Sequence, residues 1–233
     1  MHLVLIHSPL VGPGTWMPVA RELEGRGRQA VVPSLVGVAD ASPPQWRHYP
    51  EAVRAATGDI AGPIVLVGHS GAGPLLPAIA DAIAGDVAAL IFVDASLPPT
   101  AGEAPPVPPP LLEQLRELAS DGVLPPWPTW LGEEALRGLV PDDRLRGALE
   151  QEMPRLPLAY FEASIPVPAG WDDLPCGYLL FATDPYGPSA ADARSRGWPV
   201  GKLRGAHHLT LVTDPAAVVE ELLALERNLL EER

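Results

Sequence analysis

The segment Gly68-His69-Ser70-Gly71-Ala72-Gly73 carries the strongest information about the fold of this chain. It follows the apolar run IVLV at residues 64–67, which is typical of a buried strand, and it precedes small and apolar residues at 74–80 that can continue as a helix. A serine at the apex of a tight strand-to-helix turn needs small residues two positions before and after it. Gly68 meets this demand and Ala72 adds one methyl group. The pattern therefore predicts a strand, a sharp turn that exposes Ser70, and a helix.

Composition limits the classes of protein to which the chain can belong. The 233 residues suit one domain, or one domain with a large insertion. Lys and Arg total 16 against 29 Asp and Glu, a formal net charge of −13, and this acidic balance disfavours nucleic acids and anionic membranes as partners. We expect a small-molecule substrate as the partner, and the sequence leaves the oligomeric state open.

The single cysteine, Cys176, excludes an intrachain disulfide and a cysteine-rich zinc site. The apolar run at residues 3–6 has no basic leader before it and is too short for a signal peptide or a membrane span. These features predict a cytoplasmic protein. No H-E-x-x-H metal motif and no G-x-G-x-x-G dinucleotide loop occurs, so we expect neither a metal nor a cofactor.

Short apolar runs alternate with helix-like stretches, which predicts an α/β fold with a mostly parallel central sheet flanked by helices. The candidate strands are residues 3–6, 30–32, 64–67, 89–93, 178–181 and 200–203. The candidate helices are residues 16–24, 49–57, 75–84 and 216–230. Residues 97–173 interrupt the alternation with a proline-rich run and helix-like pieces at 111–119, 133–139, 142–153 and 158–163. We interpret residues 97–173 as an inserted helical cap or lid, and residues 1–96 and 174–233 as the core.

Ser70 becomes a nucleophile only when a base removes its proton, so a histidine must lie near it. His207 and His208 follow the last candidate strand, at the same edge of the sheet as the turn. The base needs a carboxylate to orient it, and Asp184 follows the strand at residues 178–181. The resulting order along the chain is Ser, Asp, His.

Together these motifs resemble the α/β-hydrolase fold, over essentially the whole chain. The segment HSPLVGPGTW at residues 7–16 is similar to the early histidine-glycine loop of that family, and GHSGAG is similar to its nucleophile elbow. The resemblance implies that the chain begins at the family's third strand and that the cap follows its sixth. The family's catalytic histidine commonly precedes a proline by seven residues, which implies His208, before Pro215. Some members carry the acid one strand earlier, which makes Asp94 the alternative to Asp184.

The resemblance also implies an oxyanion hole, formed by the Gly71 N–H and a second N–H from the early loop. The family's position for that second donor is Pro9, and proline has no N–H. We take Leu10 as the second donor, with the Ser8 hydroxyl, or a hole with one donor, as alternatives. Loss of one such donor typically costs on the order of 10²- to 10³-fold in rate.

The sequence thus predicts a serine hydrolase with Ser70, His208 and Asp184 as its triad. The expected substrate is a small, largely apolar carboxylic ester, thioester or lactone that passes through an acyl-enzyme. A cap rich in aromatic residues favours an uncharged substrate. Two alternatives stay open: a non-hydrolytic enzyme on the same scaffold, such as a lyase, an elimination catalyst or a cyclase, and an inactive small-ligand-binding protein. We expect His7 and His69 to be structural.

Overall fold

A parallel sheet forms the centre of the computed structural model, which describes residues 1–83, 87–130 and 132–231. Its six strands are β1 His2–Ile6, β2 Gln29–Val31, β3 Ile64–His69, β4 Val87–Val93, β7 Cys176–Leu180 and β8 Val200–Lys202. They lie in the order β2-β1-β3-β4-β7-β8, and all neighbouring pairs are parallel. The predicted α/β fold class is confirmed, and each candidate strand overlaps an observed one.

Helices cover both faces of the sheet, which explains why the central strands are apolar without interruption. One face packs against α1 Met17–Gly25, α9 Thr210–Thr213 and α10 Pro215–Glu231. The other packs against α2 His48–Thr57, α3 Leu76–Ala82 and α8 Gly187–Ser195. Successive residues of β1 alternate between the two layers, because side chains on a strand point to opposite faces. Among the described residues, no helix combines the length and hydropathy needed to cross a membrane.

Helical regions near α3 and at α8 differ from the sequence-based expectation. The predicted helix at 75–84 begins as a 3₁₀ turn, Ser70–Leu75, continues as α3, and includes Ala84, which lies outside the described residues. The helix α8 was not predicted. Its Ala, Pro, Ser and Asp residues form no apolar stripe, and only Ala190 and Ala193 are buried. Its position is decided by packing against the sheet rather than by its own pattern.

Residues 97–173, the inserted segment, connect β4 to β7. The segment contains β5 Gly102–Ala104, α4 Pro109–Leu118, a 3₁₀ turn at Trp127–Trp130, α5 Glu133–Leu139, α6 Asp143–Glu150, α7 Leu158–Glu162 and β6 Ile165–Val167. The strands β5 and β6 pair as an antiparallel ribbon that the sequence did not predict. Buried side chains of the segment join the core on both sides of the sheet; Tyr160, for example, packs edge-to-face on Tyr49 at 5.9 Å.

Glu152 joins the inserted segment to the loop that follows β1. Its Oε2 accepts a hydrogen bond from the Gly14 N–H at 2.6 Å. The side chain fills the space beside two glycines, because a Cβ atom on Gly12 would lie 2.4 Å from Glu152 Cβ and one on Gly14 would lie 2.7 Å from its Oε2. The carboxylate therefore ties the inserted segment to the loop that follows β1.

We expect Glu152→Ala to lower the free energy of unfolding by about 1–3 kcal/mol, since a hydrogen bond to a charged group is lost. Glu152→Gln, which keeps an acceptor oxygen, should lose less. Urea denaturation followed by circular dichroism measures both. The matched control is Glu150→Ala, which removes an exposed carboxylate from the same region and should change stability by less than about 0.5 kcal/mol. Equal stabilities for Glu152→Ala and Glu150→Ala would refute this role for Glu152.

Candidate active site

Ser70 stands at the turn between β3 and the helix that follows it, with a backbone φ of 58°. This left-handed conformation is unusual for serine, and it confirms the predicted sharp turn. The flanking glycines leave no room for side chains. A Cβ atom on Gly68 would lie 2.8 Å from Leu76 Cγ, and one on Gly73 would lie 2.2 Å from the carbonyl oxygen of Ser96. The turn therefore packs tightly against its own helix and against the end of β4.

Three side chains form a continuous hydrogen-bonded series at the carboxyl edge of the sheet. His208 Nε2 lies 3.0 Å from Ser70 Oγ, and His208 Nδ1 lies 2.7 Å from Asp94 Oδ2. An ionised carboxylate only accepts hydrogen bonds, so Nδ1 carries the proton and Nε2 of the neutral ring accepts from the serine hydroxyl. The structure thus brings together Ser70 and His208, as predicted, with Asp94 as the carboxylate.

Strand register explains the place of Asp94. His69 and Val93 are paired residues at the ends of β3 and β4, so Ser70 and Asp94 directly follow neighbouring strands at the same level. Asp94 is fully buried, and its Oδ1 accepts hydrogen bonds from the N–H groups of Phe181 and Ala182 at 3.0 and 3.1 Å. These donors compensate the burial of a charge, which is unfavourable unless the charge is paired.

The structure does not bring Asp184 to His208. Asp184 lies beyond the end of β7, in a loop where its side chain is exposed, and it forms no hydrogen bond with His208 within the described chain. The prediction of Asp184 as the acid is corrected by this geometry. The alternative from the sequence, Asp94, occupies the position because β4 lies between β3 and β7 in the sheet.

Two aromatic rings contact His208. Tyr186 stacks on it with the ring centroids 5.1 Å apart and the planes inclined by 15°, and its hydroxyl lies 3.3 Å from Ser70 Oγ. Burial raises the pKa of Tyr186, so the hydroxyl keeps its proton. The His69 ring lies 4.5 Å from His208, and its Nε2–H donates to the His208 carbonyl at 3.0 Å. Sequence reasoning missed Tyr186; its only signal is a position shortly after the strand β7.

Hydrogen bonds brace the loop after β1 through His7, as expected for a structural histidine. The His7 Nδ1–H donates to the Ser8 carbonyl at 2.9 Å, and Nε2 accepts from the Leu35 N–H at 3.0 Å. The Leu10 N–H, predicted as the second oxyanion donor, instead donates to Ser8 Oγ at 3.3 Å. The prediction for Leu10 differs from the structure because the loop turns this N–H onto its own serine.

A cavity of about 340 Å³ opens onto Ser70 and His208. Most of its wall is apolar and comes from both the core and the inserted segment: Leu10, Val11, Leu111, Trp127, Trp130, Leu139, Pro185 and Leu209. Its polar lining residues are Ser8, His69, Ser70, Tyr186 and His208, and no Lys, Arg, Asp or Glu of the described chain lines it. Nowhere in residues 1–83, 87–130 and 132–231 do three His, Cys, Asp or Glu side chains gather in a way that could hold a metal ion.

A serine on a strained turn after the third strand of a parallel sheet, beside a histidine and a buried aspartate, defines the class of α/β proteins that have a nucleophile elbow. A family model described as the alpha/beta hydrolase family matches residues 3–221, and the chain belongs to that family. Comparison with curated protein sequences gave no match.

Solved structures of similar fold cover nearly the whole chain. An extracellular alpha/beta-hydrolase from a Paenibacillus species has a TM-score of 0.75 at 20% identity, over 97% of this chain and 98% of that one. Polyneuridine aldehyde esterase has a TM-score of 0.73 at 17% identity, over 97% and 98%. A pyrethroid hydrolase from Sphingobium faniae JZ-2 has a TM-score of 0.69 at 21% identity, over 96% of each chain. At these identities the likeness establishes the fold alone.

The geometry predicts that Asp94→Asn slows the reaction of Ser70 with a fluorophosphonate by about 10³- to 10⁴-fold, because the amide no longer holds the imidazole in the tautomer that accepts the serine proton. Asp184→Asn is the matched control and should react within about twofold of the parent protein. Intact-mass spectrometry over time gives both rates. The reverse order of effects would restore Asp184 as the orienting acid.

Because His7 and His69 are buried, we expect the free energy of unfolding to fall in mild acid. Burial lowers the pKa of His7 from 6.5 to about 4 and lowers that of His69 well below 6.5. Below pH 6.5 the unfolded chain therefore binds protons that the folded chain does not. This contribution to stability is complete above about pH 7 and is lost as the pH falls toward 4.

Between pH 7.5 and pH 5.0, we expect the free energy of unfolding to fall by about 2 kcal/mol on account of His7. His69 adds to the fall in the same direction. Urea titrations at the two pH values measure the difference. A His7→Asn variant should be less stable at pH 7.5 but should lose less on acidification, since one of the two groups is gone. A free energy of unfolding that is unchanged or higher at pH 5.0 would contradict the assignment.

Proposed function

We propose that this protein is a serine hydrolase that cleaves a carboxylic ester, thioester or lactone of a small, uncharged and largely apolar substrate. The observation that carries the proposal is the continuous series from Ser70 Oγ through His208 to the buried carboxylate of Asp94. An activated serine at the mouth of an apolar cavity is the arrangement that acyl transfer requires.

In the acylation step, Ser70 Oγ attacks the substrate carbonyl carbon while His208 Nε2 takes the hydroxyl proton. The resulting imidazolium is stabilised by Asp94, whose carboxylate accepts the Nδ1–H. The negative charge that develops on the carbonyl oxygen is stabilised by the Gly71 N–H. This group lies in the first helical turn after Ser70, where backbone N–H groups lack intrahelical partners. His208 then gives its proton to the leaving group, and the acyl group stays on Ser70.

Deacylation repeats these steps with water as the nucleophile. His208 takes a proton from the water as it attacks the acyl carbon, and then gives this proton to Ser70 Oγ as the acid product leaves. The contacts of His208 favour one orientation throughout, because Tyr186 stacks on its ring and the His69 Nε2–H binds its backbone carbonyl. The base is therefore held in place before substrate enters, which lowers the entropic cost of reaching the transition state.

The cavity supports the substrate class. With no charged residue of the described chain in its lining, a charged group on the substrate would be desolvated there without compensation. Two of the similar structures carry the names of an esterase and a pyrethroid hydrolase, which agrees with hydrolysis of an ester-like bond.

Intact-mass spectrometry after fluorophosphonate treatment tests the proposed nucleophile. The parent protein should gain one adduct, whereas Ser70→Ala and His208→Ala should gain none under the same conditions. Circular dichroism confirms that the variants are folded. An unlabelled parent protein, or a Ser70→Ala variant that is labelled like the parent, would refute the proposal.

A pair of p-nitrophenyl esters of similar size tests the substrate class. We expect kcat/KM for the neutral pentanoate to exceed that for the negatively charged hemisuccinate by about tenfold or more, because the cavity offers no cation to the carboxylate. Spectrophotometric release of p-nitrophenolate measures both, and Ser70→Ala provides the background. A preference for the hemisuccinate would contradict the assignment to uncharged substrates.

A further inference from the structure

The early loop contacts the elbow through Ser8 and Pro9, on the Gly71 side of Ser70. A Cβ atom on Gly71 would lie 3.0 Å from Ser8 Oγ and 3.4 Å from Pro9 Cδ. These two residues therefore lie against Gly71, whose N–H stabilises the oxyanion in the proposed function. A second donor from this loop must come from them or from a residue that reaches past them.

No backbone N–H of Pro9 or Leu10 is free to serve as that donor. In Pro9 the nitrogen carries Cδ in place of hydrogen, and this methylene is the Pro9 atom that a Cβ on Gly71 would meet. The Leu10 N–H donates to Ser8 Oγ. The polar group of the loop that lies closest to the Cβ position of Gly71 is thus the Ser8 hydroxyl.

The Ser8 hydroxyl has a proton to give. Its oxygen accepts the Leu10 N–H, and within the described residues its own proton has no acceptor. The backbone beside it is fixed, because the Ser8 carbonyl accepts both the His7 Nδ1–H at 2.9 Å and the Val11 N–H at 3.1 Å. Ser8 is 3% exposed and lines the cavity that holds Ser70. A fixed and desolvated hydroxyl is a strong donor to a developing negative charge.

We propose that the Ser8 hydroxyl is the second donor of the oxyanion hole and replaces the backbone N–H that Pro9 cannot provide. The inference rests on the proposed function. It assigns a role to Gly71 as well, since any larger residue at position 71 would press on Ser8 Oγ at 3.0 Å. Glycine after the nucleophile leaves the space that the hydroxyl occupies.

The hydroxyl of Tyr186 is the other candidate for the second oxyanion donor. Its position differs from that of the Ser8 hydroxyl. It contacts Ser70 Oγ at 3.3 Å while its ring stacks on His208, so it lies on the side where the proton moves. Ser8 lies on the side of Gly71, where the carbonyl oxygen is held. Removing the Ser8 hydroxyl and removing the Tyr186 hydroxyl should therefore slow acylation by different factors.

The test compares acylation rates in the full chain, measured as the burst of p-nitrophenolate from p-nitrophenyl butyrate in a stopped-flow instrument. Ser8→Ala should acylate about 10²- to 10³-fold more slowly with little change in KM, as is typical for loss of an oxyanion donor. Tyr186→Phe should lose less than tenfold. Ser42→Ala, which truncates an exposed serine, is the matched control and should acylate at the rate of the parent.

A second variant guards against a merely structural effect. Ser8→Ala combined with Pro9→Ala restores an N–H where Pro9 has Cδ, and it should acylate at least tenfold faster than Ser8→Ala alone. A Ser8→Ala rate within threefold of the parent, or a loss that Pro9→Ala does not rescue, would overturn the inference while Ser70 labelling leaves the proposed function intact. A parent protein that neither takes the fluorophosphonate nor hydrolyses the ester would overturn both.

Discussion

The buried carboxylate of Asp94 is the interaction on which the arrangement of this protein depends. It accepts the N–H groups of Phe181 and Ala182 at the end of β7 and the Nδ1–H of His208. Desolvating a carboxylate without these donors would cost several kcal/mol. The two N–H groups and the His208 ring must therefore meet Asp94 if this residue is to be buried at the end of β4. One carboxylate thereby joins the ends of β4 and β7 to the loop that carries His208, beside Ser70 at the end of β3.

Around this centre the polar groups are concentrated at one end of an otherwise apolar cavity. The inserted segment supplies much of the apolar wall, with Trp127 and Trp130 among its contributions. Excluding water in this way strengthens every hydrogen bond to a developing charge, since such interactions weaken as the effective dielectric constant rises. Glu152 anchors the inserted segment to the core, and the inserted segment supplies the apolar wall around Ser70. The anchoring therefore supports the environment in which the proposed chemistry of Ser70 takes place.

Local patterns were sufficient for much of the fold. The apolar run before Ser70 and the small residue at Gly68 specify a strand and a sharp turn, because the space at Gly68 is limited by Leu76, a near neighbour in the chain. The choice of His208 over His207 agrees with the observed contacts. Helix α8 and the β5–β6 ribbon were missed, because neither has a periodic apolar pattern and each is held by packing against distant residues.

Taken alone, the sequence determined the α/β class, the strained turn at Ser70 and the histidine that meets it. Only the tertiary structure decided which carboxylate lies within hydrogen-bond distance of His208, and which group of the early loop approaches Gly71. Asp94 and Asp184 both follow strands, so they look alike in the sequence. They are separated by strand order and register, which place Asp94 next to Ser70. Those relations join residues far apart in the chain, and local propensities carry no information about them.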